Sequence, residues 1–263
     1  MNEHVISADP VSPAHALPQS WLVARSLFTG NMRQTVLFWI VMVVLFAAVA
    51  TGIGVFGHLD HSMWENAFDS TAMYLPLVFG LVLTTVHLPI FVAHGVTRRN
   101  FFIGAMWSVL GFTVVSSLAL AIGYEVEHLL YAAYGLSDAL ASPHLFSSTD
   151  QFPVTFAESE LSMLAYLCTG WLVGTGFRKF GPGGLLFLIP AVVPLIGTEV
   201  LCRVGWLGGA ANAIGISRQP LAIGVPESVL IILIGFAAIY ALIRDLPAHG
   251  NPNANPYQPW RRG

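Results

Sequence analysis

Three potential metal ligands fall within four residues at His58-Leu59-Asp60-His61, and His128 and His144 are further imidazoles expected on the same side. Histidine nitrogen and carboxylate oxygen are the ligands of a zinc-type site. Polar residues are common at any membrane surface, however, and nothing in this spacing imposes a coordination geometry, so the chain is read as having no metal site. A zinc protease needs H-E-x-x-H on a helix, and the sequence has none. A nucleotide-binding loop needs glycines that lead into Lys-Ser/Thr. Gly181-Pro182-Gly183-Gly184 lacks the lysine and reads as a turn. The hydrolase elbow G-x-S-x-G begins at Gly215-Ile216-Ser217 and fails at Arg218-Gln219. No catalytic residue is assigned, and the chain is not expected to be an enzyme.

Two further groups carry polar chemistry inside apolar sequence. His87 follows Thr84 and Thr85 in the second greasy run, and Glu199 and Arg203 stand four residues apart beyond the fifth. An ionisable residue at membrane depth marks either a transport pathway or a hydrogen-bonded core position. These five residues are the candidate pathway or gate; a core role for His87 and a structural Glu199–Arg203 pair are the alternatives. An intramembrane enzyme built on His87 or the outer histidines is a third reading.

The elements that must position these groups are membrane helices. Of 263 residues 55% are hydrophobic and only 10% charged, with a net charge of −3. A soluble domain carries roughly 25% charged residues, so neither a nucleic-acid binder nor a soluble enzyme fits. Cys168 and Cys202 lie in or beside apolar segments and read as buried thiols rather than a disulfide framework. No secretory signal is visible in the first twenty residues, so the first span is expected to target the chain.

A bilayer core needs about 20 apolar residues in a helix. The expected fold is an all-α integral membrane protein with spans over 34–59, 70–93, 101–124, 158–177, 182–198 and 226–244. Residues 1–19 read as a disordered tail and 20–33 as an amphipathic interfacial helix, with Trp21, Ala24 and Phe28 at helical spacing. A plain extension of the first span is the alternative for 20–33. Thr155 and Glu158 have capping-box spacing, which can start the fourth span early. Pro190 and Pro194 should kink or break the fifth. Pro226 and Glu227 suit the first turn of the sixth. Gly170-x-x-x-Gly174 permits close helix approach, expected within the chain. Residues 125–157 form an outer segment whose first part continues the third helix to Gly135. The glycine-rich stretch 199–225 reads as a re-entrant or outer segment, and 246–263 as a tail.

Charge sets the orientation. With the N-terminus inside, Arg25, Arg33, Arg98, Arg99, Arg178, Lys179, Arg244, Arg261 and Arg262 are inside and only Arg203 and Arg218 outside. Nine against two is a strong positive-inside signal, which predicts a cytoplasmic-membrane protein with both termini cytoplasmic.

That orientation puts the turn between spans two and three (94–102) in the cytoplasm. Its residues Gly95-Val96-Thr97-Arg98-Arg99-Asn100-Phe101-Phe102 resemble the loop between spans two and three of ABC-2 type permeases, the membrane subunits of ATP-binding-cassette exporters. The resemblance extends to the helix before span one, the six spans and the apolar stretch before the last. The long outer segment departs from a minimal member. The resemblance implies that these eight residues form a coupling helix seated in a separate ATPase subunit. ATP and Mg would be bound there, with no cofactor in this chain, and a second permease copy or a related permease would complete the path. Arg98 and Arg99 as plain lipid-phosphate anchors are the competing explanation. The implied function is export across the cytoplasmic membrane. The alternative is a non-transporting polytopic protein, such as an immunity factor or a scaffold for the outer segment. The substrate is not legible in the sequence.

Overall fold

The computed structural model describes residues 17–56, 61–65, 70–136, 139–202, 204–215 and 220–246. The tails, His58, Asp60, Arg203 and Arg218 therefore lie outside the described residues, and with them most of the 58–61 ligand group and the Glu199–Arg203 pair. Every regular element among the described residues is helical, with 139–151 an irregular connection: α1 (Gln19–Phe56), α2 (Ser70–Val82), a π-helical turn (Leu83–His87), α3 (Leu88–Ala93), α4 (Arg98–Tyr134), α5 (Phe152–Phe180), a 3₁₀ turn (Gly181–Gly183), α6 (Gly184–Ala191), α7 (Val193–Cys202), α8 (Gly205–Ala213) and α9 (Leu221–Arg244). Five helical stretches are long and apolar enough to cross a membrane, 19–52, 71–93, 98–134, 152–202 and 222–244. The chain has the build of a multi-pass membrane protein.

α5 is the central post. On one side its glycines admit α2: a Cβ on Gly170 would stand 1.9 Å from the Leu77 carbonyl oxygen, and one on Gly174 2.5 Å from that of Leu81. The small-residue pair thus serves packing inside the chain, as its spacing suggested. α4 runs antiparallel to α5, with Phe102 against Trp171 at one end and Thr113 and Ser117 bonded to Glu160 further along. α1 runs parallel to α4: Gln19 bonds Asn100, Ser20 and Val23 meet Gly104, and Phe28 meets Gly111. α9 lies antiparallel to α4, placing Tyr240 on Phe102. After the 3₁₀ turn, α6 and α7 double back on α5, with Phe187 over Gly176 and Glu199 reaching Tyr166.

Several local expectations change. α1 has no break between 33 and 34, so the expected interfacial helix is the first part of one 38-residue helix. No proline interrupts it, and one buried stripe continues from Val23, Ala24 and Leu27 to Trp39, Met42 and Phe46. The fourth span does not start at the Thr155–Glu158 box. α5 begins at Phe152 with Pro153 in its first turn, where a fixed φ and a missing N–H cost nothing. The Thr155 hydroxyl donates instead to the Gln151 carbonyl. The last helix begins at Leu221, five residues before Pro226, which sits inside it. The fifth run is indeed interrupted, at Val192 between its two prolines. Gly135 ends α4 in the left-handed conformation (φ 66°), where the sequence placed the end of that helix.

Candidate functional site

The basic turn is built by two standard helix ends. α3 stops at Ala93, and Gly95 takes φ +82°. The Gly95 N–H then donates to Val92 O and the Val96 N–H to Phe91 O, both at 3.0 Å. This paired closure is a Schellman motif, and its left-handed residue is what makes glycine favoured here. A Cβ on Gly95 would meet nothing within 4 Å, so conformation rather than space selects it. Thr97 then caps α4, its hydroxyl accepting from the Asn100 N–H at 3.3 Å.

This geometry divides the eight-residue set. Phe101 is fully buried, against Phe91. Phe102 is wedged between Trp171 and Tyr240 with centroids 5.5 and 5.0 Å away. The paired phenylalanines anchor α4 in this chain's own core, not in a partner or at the bilayer interface. Arg98 Nη1 donates to the Arg244 carbonyl at 2.9 Å, placing a cation at the C-terminus of α9 where the helix dipole favours one. Asn100 Nδ2 donates to Gln19 Oε1 at 2.9 Å. His94, Gly95, Thr97 and Arg99 remain exposed. The turn is therefore tied to the adjoining ends of α1 and α9 while presenting a compact cationic face.

The pathway candidates do not form one site. Thr84 is fully buried. It accepts from Trp171 Nε1 at 2.8 Å and shares a 2.9 Å bond with the Thr175 hydroxyl, which in turn donates to the Trp171 carbonyl. This closed network satisfies polar groups in the apolar core, as they must be where no water can help. Thr85 is exposed and bonds back to Leu81; His87 is half-buried. All three lie on the π turn, where the Leu88 N–H reaches five residues back to Leu83 O, one residue before Pro89, which has no N–H to give. Glu199 contacts α5 at Tyr166, nine residues from Thr175 and so about 13 Å along the helix.

A second polar constellation, at the opposite end of the bundle, was legible only as scattered acidic residues. Glu127, fully buried, accepts from Ser62 Oγ, Met63 N and Trp64 N at 2.5, 2.8 and 2.9 Å. Glu65 accepts from Ala141 N at 2.7 Å and from Ser142 N. Glu158 accepts from Leu145 N and His144 Nδ1, each at 2.6 Å. His144 Nε2 lies 3.3 Å from Glu65, within ion-pair range. Because the two carboxylates approach opposite ring nitrogens, they do not converge on one cation. Among the described residues no group of three His, Cys, Asp or Glu side chains is arranged for a metal. Across a cavity of about 50 Å³ lined by Tyr124, His144, Glu158, Tyr166 and Glu199, the Glu199 carboxylate takes the Tyr166 hydroxyl at 2.7 Å and the Leu207 N–H at 3.2 Å. It thus holds the start of α8 against α5.

What these carboxylates do is bind backbone. Each accepts amide protons from irregular segments or helix starts that would otherwise leave donors unsatisfied. The sequence signal for Glu127 was its place in the buried stripe Leu120, Tyr124, Glu127, Tyr131, a spacing of three and four residues. No such signal marked Glu65, whose partners are 76 and 77 residues away.

Glu65 lies outside the spanning helices and titrates predictably. Burial alone would raise its carboxyl, but the His144 ring and the Ala141 and Ser142 amides outweigh that and hold it below the usual range. A carboxyl depressed in the folded state stabilises the fold above the ordinary glutamate value of about 4.3, and that contribution disappears as pH falls through the lowered folded value. Acidification should therefore loosen residues 139–146 while the helices hold. Hydrogen exchange at Ala141 and Ser142, corrected for intrinsic rates, should lose protection in the parent once pH falls below the ordinary glutamate range. Glu65→Gln should be less protected at neutral pH and nearly insensitive to acid. Identical profiles for the two proteins would refute the assignment.

No family model, curated protein or solved structure matches the chain.

Proposed function

We propose that the chain is the membrane subunit of an ABC-type exporter, receiving mechanical work from a separate ATPase subunit through the turn at 94–99. The observation that carries the proposal is the mounting of that turn. Arg99, Thr97 and His94 face outward, while Arg98 and Asn100 tie it to α9 and α1 and Phe101 and Phe102 root it in the core. A force applied to the exposed face is transmitted to three helices at once. A simple lipid anchor would not require a left-handed glycine or those cross-links.

Alternation of helix direction supports six crossings: α1, α4 and α6–α7 run one way, α2–α3, α5 and α9 the other. The attachment of α8 to Glu199 supports a re-entrant or outer segment folded against the protein. Arg98, Arg99, Arg178, Lys179 and Arg244 gather at the end bearing the turn, which supports a cytoplasmic face there and cytoplasmic termini; Arg25 and Arg33, expected inside, lie further along α1, beside the apolar run of α4 around Gly111. A second copy, or a related permease, would complete a path between inward- and outward-facing states. The ATP and Mg belong to the ATPase. The carboxylate-pinned outer end is what a non-transporting scaffold would also need, and that remains the second reading.

Co-purification tests this. The tagged protein should bring down an ATPase subunit in mild detergent. Arg99→Glu should cut that recovery at least about tenfold, as expected for reversing a charge-assisted contact, with thermal unfolding unchanged. Arg98→Ala should reduce coupling less and lower stability slightly, because its partner is the chain's own α9. Full ATPase recovery and coupling in an Arg98→Glu, Arg99→Glu double variant would overturn the docking role.

A further inference from the structure

We infer that the outward side of α1 between Arg25 and Gln34, with the groove beside it, binds an anionic amphiphile. Every exposed residue between Ala24 and Thr35 is polar or glycine: Arg25, Ser26, Thr29, Gly30, Arg33 and Gln34. Directly before this face α1 exposes Trp21 and Leu22, and directly after it Val36 and Leu37. The neighbouring helices fix the depth of this polar face. Val23 and Phe28 contact Gly104 and Gly111, and Phe112 contacts Phe79, so the face lies level with the middle of the apolar runs of α4 and α2. At that level α4 exposes Trp107 and Leu110. A face with two guanidinium groups, surrounded at its own depth by lipid-facing side chains, is costly unless something anionic covers it.

The described residues do not supply the counter-charge. α1 contains no Asp or Glu, and neither guanidinium has a side-chain partner among the described residues. The carboxylate nearest in depth, Glu160, is committed to Thr113 and Ser117 between α4 and α5. A second copy docked on this face would bring the same two arginines. A bound anion would supply the missing charge, and its apolar part has a place. Trp21, Ala24, Phe28, Trp107 and Gly111 line an apolar groove of about 270 Å³ between α1 and α4, with Arg25 at its rim. Arg33 stands eight residues on, about 12 Å along the helix. An acyl chain in the groove and a phosphate or carboxylate on the arginines satisfies both features. The inference requires only that the bundle sit in a membrane and does not rest on the exporter reading.

The full chain reconstituted in phosphatidylcholine nanodiscs containing phosphatidylglycerol, then released into detergent for native mass spectrometry, tests this. Phosphatidylglycerol should be retained over phosphatidylcholine, and Arg25→Gln with Arg33→Gln should weaken that retention by roughly tenfold to thirtyfold, while the double lysine variant keeps most of it. Dodecyl phosphate should compete and inorganic phosphate should not. Should the double glutamine variant misfold, Trp107→Ala, which opens the groove wall, should lower retention instead. Equal retention of both lipids, unchanged retention in the variants, or displacement by inorganic phosphate alone would overturn the inference.

Discussion

Gly170→Leu should be the most damaging single substitution in the helical bundle. A side chain there would begin 1.9 Å from a backbone oxygen of α2, and no rotamer change relieves an overlap with main chain. The helices must separate, and the closed network of Thr84, Thr175 and Trp171 one turn away separates with them. Overpacking a well-packed interior costs about 1–3 kcal/mol, and a backbone overlap belongs at the top of that scale or beyond it. An unfolding midpoint lower by roughly 6–12 °C is expected for a chain of this size, measured by tryptophan fluorescence in detergent, together with loss of a monodisperse elution peak. Gly30→Leu, at a position with nothing within 4 Å, is the control and should elute normally. A Gly170→Leu protein as stable as the parent would mean that α2 and α5 do not pack as described.

Glu127→Leu should produce the largest change at the other end. The substitution keeps an apolar body in the stripe but removes the acceptor for Ser62, Met63 and Trp64. Two buried backbone donors left without an acceptor cost about 1–3 kcal/mol each, so a loss of roughly 2–6 kcal/mol is expected. The damage should be local. Trp64 stacks on Trp39 and meets Phe46, and its indole donates to Leu120 O at 3.1 Å, so the freed 62–65 turn should expose that tryptophan. A red-shifted emission lost on adding Trp64→Phe, with faster hydrogen exchange at 62–65, is the signature. Glu127→Gln, which retains one acceptor oxygen, should fall between. Unaltered emission in Glu127→Leu would show that the carboxylate does not hold the turn.

Both residues illustrate how far local sequence carries. The small-xxx-small spacing of Gly170 and Gly174 shows that helices meet there, because only a missing Cβ lets backbones touch; it does not say that the other helix is α2. The two prolines of the fifth run, the left-handed Gly135 and the turn around Gly95 were legible because each is enforced within a few residues. Where a helix begins was less legible. The Thr155–Glu158 spacing has the form of a capping box, but both side chains have other partners, Gln151 for one and His144 with Leu145 for the other. The break expected at 33 was inferred from polarity. Polarity alone does not end a helix whose buried stripe continues unbroken.

The sequence by itself determined the class of molecule: charge-poor apolar runs of spanning length, separated by turns whose glycines, prolines and arginines act locally. It also determined which turn carries the paired arginines. Only the tertiary structure decided what those residues face. It showed that Arg98 caps α9 while Arg99 is exposed, that Phe101 and Phe102 root the turn in this chain, and that Arg25 and Arg33 lie on an exposed side of α1. It also assigned Glu65, Glu127 and Glu158 to the backbone of distant segments. The reason is physical. A helix period specifies which residues share a side, but depth and partner depend on register between helices, and contacts between non-neighbouring segments set that register.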